Sequence, residues 1–199
     1  MIFHSLDTIL YEKCLSSMEG VVQKIIDHKE QNQIWFLEHL SVYTAGLSSK
    51  PEDLINPLFP VVQTNRGGQY TYHGKGQLVI YVMIFLNKKD VKQFINHLAE
   101  WVLRSLKEVE LNAYFDADKV GIFIRKEGAI KKIASIGMRF KKWVSFHGIA
   151  ININPTLSDF KGIVPCGLKD VEMTSLFDLG LTINRFEFED ILKKTWIDF

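Results

Sequence analysis

The residue with most chemical promise is Cys166, in Gly162-Ile163-Val164-Pro165-Cys166-Gly167-Leu168. Pro165 fixes one backbone torsion ahead of the thiol, and Gly167 frees the backbone after it. That combination predicts a tight turn presenting a side chain. Pro-Cys-Gly alone is a weak pattern, since a free cysteine can equally be a small buried hydrophobe. Cys14, on the apolar face of a helical pattern, reads as core. A nucleophilic cysteine needs a partner, because a thiol of pKa about 8.5 is only a few per cent ionised at neutral pH. The candidates are His73, His147 and the lysines of Ala129-Ile130-Lys131-Lys132-Ile133-Ala134-Ser135-Ile136-Gly137. Strand alternation sends Lys131 and Lys132 to opposite faces. If Ile130, Lys132 and Ala134 share one face, the Lys132 ammonium lies on an apolar side and is poorly hydrated. Most such lysines snorkel to water.

Two glycine-rich segments accompany these residues. Arg66-Gly67-Gly68-Gln69-Tyr70-Thr71-Tyr72-His73-Gly74-Lys75-Gly76-Gln77 sets glycines around an arginine and a histidine, which suits close backbone approach to a ligand. It lacks the Gly-Lys-Ser/Thr ending of a phosphate loop. Ser145-Phe146-His147-Gly148-Ile149-Ala150-Ile151-Asn152-Ile153-Asn154 repeats the His-Gly pair. His73, His147 and Cys166 have no metal-ligand spacing, so no metal site is expected. The acid pairs Asp116/Asp118 and Asp170/Glu172 read as solvated loop charges.

The elements that must hold these groups follow from periodicity. Asp7 could cap a helix to about Asp27, with Leu10, Cys14, Met18, Val21, Val22 and Ile25 on one face. A second helix fits Asp90 to about Val109. Strand patterns cover Gln33–Glu38, Val42–Thr44, Val61–Thr64, Leu78–Leu86, Ala113–Phe115, Val120–Arg125, Ile130–Ile136 and Trp143–Ile153. Short helical patterns close the chain at Val171–Leu179 and Phe186–Trp196. The order predicts an α+β fold, residues 1–199 forming a single catalytic domain, with helices on one side of a mixed β-sheet.

The 199 residues are 47% hydrophobic and 24% charged, with a net charge of +1. That balance fits a globular domain and argues against a dedicated nucleic-acid binder. The two cysteines are too few for a disulfide framework. The N-terminus lacks a secretory pattern, and the most apolar stretch, Leu78–Leu86, is too short to span a bilayer as a helix. The expectation is a cytoplasmic protein with no membrane partner. Arg125, Lys126, Lys131, Lys132, Arg139, Lys141 and Lys142 form a basic run broken only by Glu127. It is either solvated strand edge or a docking patch for an acidic partner.

Arg66–Gly74, Lys132–Gly137, Ser145–Gly148 and Pro165–Gly167 resemble, in order and separation, four signature segments of the lipoyl(octanoyl) transferases. Trp35–His39 and Val42–Gly46 are similar to that family's early strand pair. The resemblance implies a biotin/lipoate protein ligase-like fold and a thioester mechanism without ATP or other cofactor. Cys166 falls on the acyl-accepting cysteine and Lys132 on the lysine that activates it. The residues implied to line the acyl site are Arg66, Gly67, Gly68, Gln69, Tyr70, Thr71, Tyr72, His73, Ser135, Ile136, Gly137, His147, Gly148, Ile149 and Ala150. Tyr72, Leu78 and Ile149 are candidate walls for the chain, and main-chain N–H groups of Ser135–Gly137 or Gly167 candidate oxyanion donors. The implied donor is octanoyl-acyl carrier protein. The implied acceptors are lipoyl domains of 2-oxoacid dehydrogenase complexes and the glycine-cleavage carrier protein, served by a monomer. Lys75, Ser41 and Phe123 replace the family's usual proline, proline and tryptophan, and Lys75 would add charge beside the pocket mouth. The rivals are an ATP-dependent lipoate or biotin ligase, an amidotransferase moving octanoyl between proteins, and a non-enzymatic carrier-binding module.

Overall fold

The chain begins with a strand where sequence periodicity predicts a helix capped by Asp7. Residues Ile2–Ile9 form β1, parallel to β2 (Gln33–His39). Helix α1 runs only from Tyr11 to Ile26, and buries Tyr11, Cys14, Met18, Val22 and Ile25 at three- and four-residue spacing. A computed structural model describes residues 1–167 and 171–199, so Leu168 and Asp170 lie outside the described residues.

The remaining elements are β3 (Val42–Ala45), β4 (Val61–Gln63), β5 (Thr71–His73), β6 (Gln77–Met83), α2 (Val91–Lys107), β7 (Tyr114–Asp116), β8 (Gly121–Lys126), β9 (Ala129–Lys141), β10 (Val144–Asn152), β11 (Glu172–Met173) and α3 (Arg185–Thr195). Asp90 caps α2 by accepting from the Gln93 N–H, and Asn184 with Glu187 closes a capping box on α3. The helix expected at Val171–Leu179 is absent; β11 and a turn take its place.

The main sheet has the order β1-β2-β6-β10-β9-β8-β7, parallel only at β1–β2, and β11 adds in parallel to β9. A smaller sheet, β4-β3-β5, stands beside it. The helices do not share one side as expected. Every residue of β6 is buried, so both faces of the central strands need cover. On one face α1 packs Cys14, Met18, Val22 and Ile25 against Leu37, Val79, Tyr81 and Ala150. On the other, α2 and α3 cover Ile34, Phe36, Leu78, Ile80, Ile136 and Ile149. Tyr43, Tyr70, Tyr72, Phe160 and Ile163 form a separate core under the small sheet. No helix among the described residues is long and apolar enough to cross a membrane.

Candidate active site

A cavity of about 310 Å³ opens between the α1 face of the main sheet and the small sheet. Gln69, Thr71 and His73 line it, whereas Tyr70 and Tyr72 do not. Alternation explains the split, since β5 turns every second side chain toward the cavity and the others into the tyrosine-rich core. Arg66, Gly67 and Gly68 line the cavity from the preceding turn, and Ser135, Ile136, Gly137, His147, Gly148, Ile149 and Ala150 from β9 and β10. Ile149 lines the cavity as expected, whereas Leu78, in the α2/α3 core, and Tyr72, in the core under the small sheet, do not. Lys75 is exposed and is not among the residues that line the cavity.

Lys132 is only 1% exposed. Strict alternation would place it with Ala134, against α2 and α3. A bulge prevents this. Ile122 pairs with Ala134 but Phe123 pairs with Lys132, leaving Ile133 as the extra residue of β9. Ile133 and Ala134 both join the α2/α3 core, and Lys132 turns to the cavity side with Ser135. Its Nζ lies 5.3 Å from the Phe123 ring centre and has no hydrogen-bond partner among the described residues. Gly121 makes room for the lysine, since a Cβ there would fall 2.5 Å from Lys132 Cε and 2.9 Å from Nζ.

Cys166 sits in a short turn, Pro165–Gly167, with φ +55°. Its N–H donates to Tyr70 O at 2.8 Å, and the Gly167 N–H donates to Val164 O at 3.1 Å. The Gly167 N–H is therefore committed and is not the free oxyanion donor expected from sequence. Ser135 Oγ stands 3.7 Å from the sulfur. Burial pushes the thiol pKa up, but the nearby Lys132 charge, the Ser135 hydroxyl and Arg66 outweigh burial and hold it below the ordinary value. Cys14, buried under α1, is pushed up by burial to about 12.

Arg66 is buried, and its guanidinium is tied by Nη2 to Thr44 O (2.7 Å), Thr44 Oγ1 (2.7 Å) and Gln69 O (2.8 Å). These carbonyl and hydroxyl partners leave its positive charge facing the cavity unneutralised. Both histidines of the glycine-rich segments look into the cavity as neutral rings. Burial, with His39 and Arg66 nearby, drives His73 well below its usual pKa; burial and Arg66 lower His147 to about 3. Sequence reasoning missed Tyr11 and Tyr81, which also line the cavity, and His39, whose ring meets Tyr81 OH at 2.8 Å. Only the register of β6 and the start of α1 could have pointed to them.

The seven basic residues do not form one patch. Arg125, Lys126 and Lys131 lie at one end of β9, and Arg139, Lys141 and Lys142 at the other. Lys131 pairs with Glu172 at 3.1 Å, and Lys132 is buried.

The arrangement of the two sheets and the three helices around this cavity is a known architecture. The chain superposes on a bi-partite lipoate protein ligase from Thermoplasma acidophilum with a TM-score of 0.75, covering 97% of this chain and 80% of that one at 16% identity. Against biotin protein ligase from Aquifex aeolicus the TM-score is 0.54, covering 98% and 65% at 14% identity. These likenesses establish the lipoate and biotin ligase fold. Within it, the chain belongs to the lipoyl protein ligase A/B catalytic domain family, whose model matches residues 11–197. A curated relative named octanoyltransferase, from Wolbachia pipientis subsp. Culex pipiens, is 42% identical over 187 residues, 92% of this chain and 91% of that protein.

Proposed function

We propose that this chain is an octanoyltransferase that moves the acyl group from octanoyl-acyl carrier protein to a lipoyl-domain lysine through a thioester on Cys166. The observation that carries the reading is the pairing of Cys166 with Lys132, a buried lysine whose Nζ has no hydrogen-bond partner among the described residues.

The Cys166 thiolate attacks the carrier thioester carbonyl. The tetrahedral oxyanion collapses, expelling the carrier thiolate and leaving octanoyl on Cys166. The neutral lysine amine of the lipoyl domain then attacks that thioester, Cys166 leaves as thiolate, and the proton released from the amine passes to solvent as the amide forms. The first exchange trades like bonds and the second runs downhill, so activation by nucleotide is unnecessary. Lys132 and Arg66 favour the thiolate before attack and after departure, and Lys132 Nζ, without a partner among the described residues, can donate to the oxyanion. An acidic carrier protein would be drawn to the basic β9–β10 end, where Lys142 and Trp143 form the turn.

Intact-protein mass after mixing with octanoyl-acyl carrier protein, without ATP, tests this. One octanoyl adduct on the wild type, absent in Cys166→Ala and discharged by an apo lipoyl domain, is expected. Acylation that needs ATP and free octanoic acid would instead establish a ligase.

A further inference from the structure

The reaction as drawn leaves a buried chain of amides unused. It starts from Thr174 O, which can only accept. Asn152 Nδ2 donates to it at 2.8 Å, so Asn152 Oδ1 faces the other way and accepts from Gln77 Nε2 at 2.9 Å. Gln77 must then offer Oε1 to His73 Nδ1, 2.8 Å away. One backbone carbonyl thus fixes the direction of every bond. His73 carries its proton on Nδ1, and Nε2 is left as an acceptor in a ring that lines the cavity. His73, Gln77, Asn152 and Thr174 are all at most 6% exposed.

The same chain reaches the lysine. The pairing of β10 with β9 stops at Ile151–Ala134, and β11 pairs with β9 at Lys131 and Lys132. Asn152 stands at that seam. Thr174, the residue after β11, donates its N–H to Lys132 O at 3.0 Å while its own carbonyl is held by Asn152. The segment that returns from the Cys166 turn is also stitched to the end of β10, through Leu176 N–H to Asn152 O and Phe177 N–H to Ile153 O.

We infer that Gln77 and Asn152 are positioning residues for the transfer: one amide chain fixes the tautomer of His73 in the acyl cavity and, through Thr174, the main-chain position from which Lys132 reaches Cys166. This rests on the transferase reading of Cys166 and Lys132. Asn152→Leu alone strands two buried groups, Thr174 O and Gln77 Nε2, and the double variant Gln77→Met/Asn152→Leu strands the same number, Thr174 O and His73 Nδ1. The double variant should therefore be about as stable as Asn152→Leu while also releasing His73, and calorimetry reads its folding separately from its positioning.

The test compares wild type, Asn152→Leu, the double variant and Asn154→Ala, an exposed neighbour, as a control. Calorimetry reports folding, the pH dependence of Cys166 alkylation by iodoacetamide reports the lysine–thiol geometry, and histidine ring 15N shifts report the His73 tautomer. In the wild type His73 should appear as the Nδ1–H form. The double variant should stay folded, lose that tautomer preference, alkylate with a midpoint at higher pH, and accept octanoyl more slowly by on the order of tenfold or more. A folded double variant with the wild-type midpoint and acylation rate would overturn the inference, as would a wild-type Nε2–H tautomer. If Asn152→Leu and the double variant both fail to fold, the wild-type tautomer decides. A wild-type Cys166 that alkylates like an ordinary thiol would defeat the transferase reading instead, so the two failures are distinguishable.

Discussion

Gly121→Ala should disable the lysine–thiol pair without removing any reacting group. The added methyl would lie 2.5 Å from Lys132 Cε and 2.9 Å from Nζ, with Ala134 O at 3.0 Å. Non-bonded carbons settle at about 3.5–4.0 Å, so the lysine tip must retreat by roughly 1 Å or more. The tip of a long side chain can do this, and the fold should survive. For a unit charge pair at about 4 Å and an effective dielectric of about 20, the attraction is about 4 kcal/mol, and stretching it by just over 1 Å removes about 1 kcal/mol. That raises the thiol pKa by roughly 0.7 unit. Misplacing the ammonium relative to the oxyanion should slow acylation further, by on the order of ten- to a hundredfold. The assay is the rate of iodoacetamide adduct formation between pH 5 and 10, read by intact mass. Cys14 stays silent through most of that range because burial holds its pKa near 12. An alkylation midpoint and acylation rate equal to wild type, in a folded Gly121→Ala protein, would refute the claim that Gly121 makes room for a working lysine.

Two further predictions concern pH and partner docking. His39 titrates near 4 and His147 near 3, both lowered mainly by burial, while their unfolded value is about 6.5. The folded state thus binds fewer protons, its stability is complete above about pH 6.5, and each neutral ring forfeits about 1.4 kcal/mol per pH unit as pH falls toward 4; a calorimetric Tm that stays flat from pH 7 to 4.5 would contradict this. Lys141→Glu/Lys142→Glu should slow acyl transfer from an acidic carrier protein by about tenfold at low salt while sparing a small octanoyl thioester. Arg125→Glu/Lys126→Glu, at the far end of β9, should do so less; equal losses with carrier and small thioester would count against docking.

The parts of the site legible in sequence were those encoded within a few residues. Pro165 and Gly167 bracket a turn whether or not anything packs on it, and the glycines near Arg66 and His147 announce close backbone approach. The larger departures depend on distant partners. β1 is an edge strand whose shape comes from pairing with β2, and its residues carry no strong alternation. The two-sided helix cover follows from burial of β6 on both faces, which a run of apolar residues can express as readily in a helix. Tyr72 is a local exception: it lies within the motif, yet the period of two turns it into the core under the small sheet rather than into the cavity. Gln77 and Asn152 lie within the two glycine-rich segments, yet their link needs the pairing of β10 with β6, which brings Asn152 opposite Gln77.

Backbone strain shows which departures from regular structure serve the site. Eight non-glycine residues among those described have positive φ. His28 and Glu110 follow the ends of α1 and α2, Glu127 precedes Gly128 in the β8–β9 turn, and Lys142 and Trp143 make the β9–β10 turn. Those are ordinary places for the left-handed region. The other three, Val120 (φ +43°), His147 (φ +59°) and Cys166 (φ +55°), all line the cavity. A β-branched residue, a residue inside a strand and a cysteine gain nothing locally from that conformation, which costs about 1–2 kcal/mol each. Surrounding bonds hold Val120 and Cys166 there, through Ile136 N–H to Val120 O, Val164 N–H to Asp53 O and Cys166 N–H to Tyr70 O, and the His147 N–H donates to Met18 Sδ at 3.3 Å. Together with the bulge at Ile133, these distortions turn the Lys132 and Cys166 side chains toward one another from a strand and a loop that regular geometry would leave facing elsewhere. The fold is shared with ligases; the thioester chemistry proposed for this chain depends on these few irregular residues.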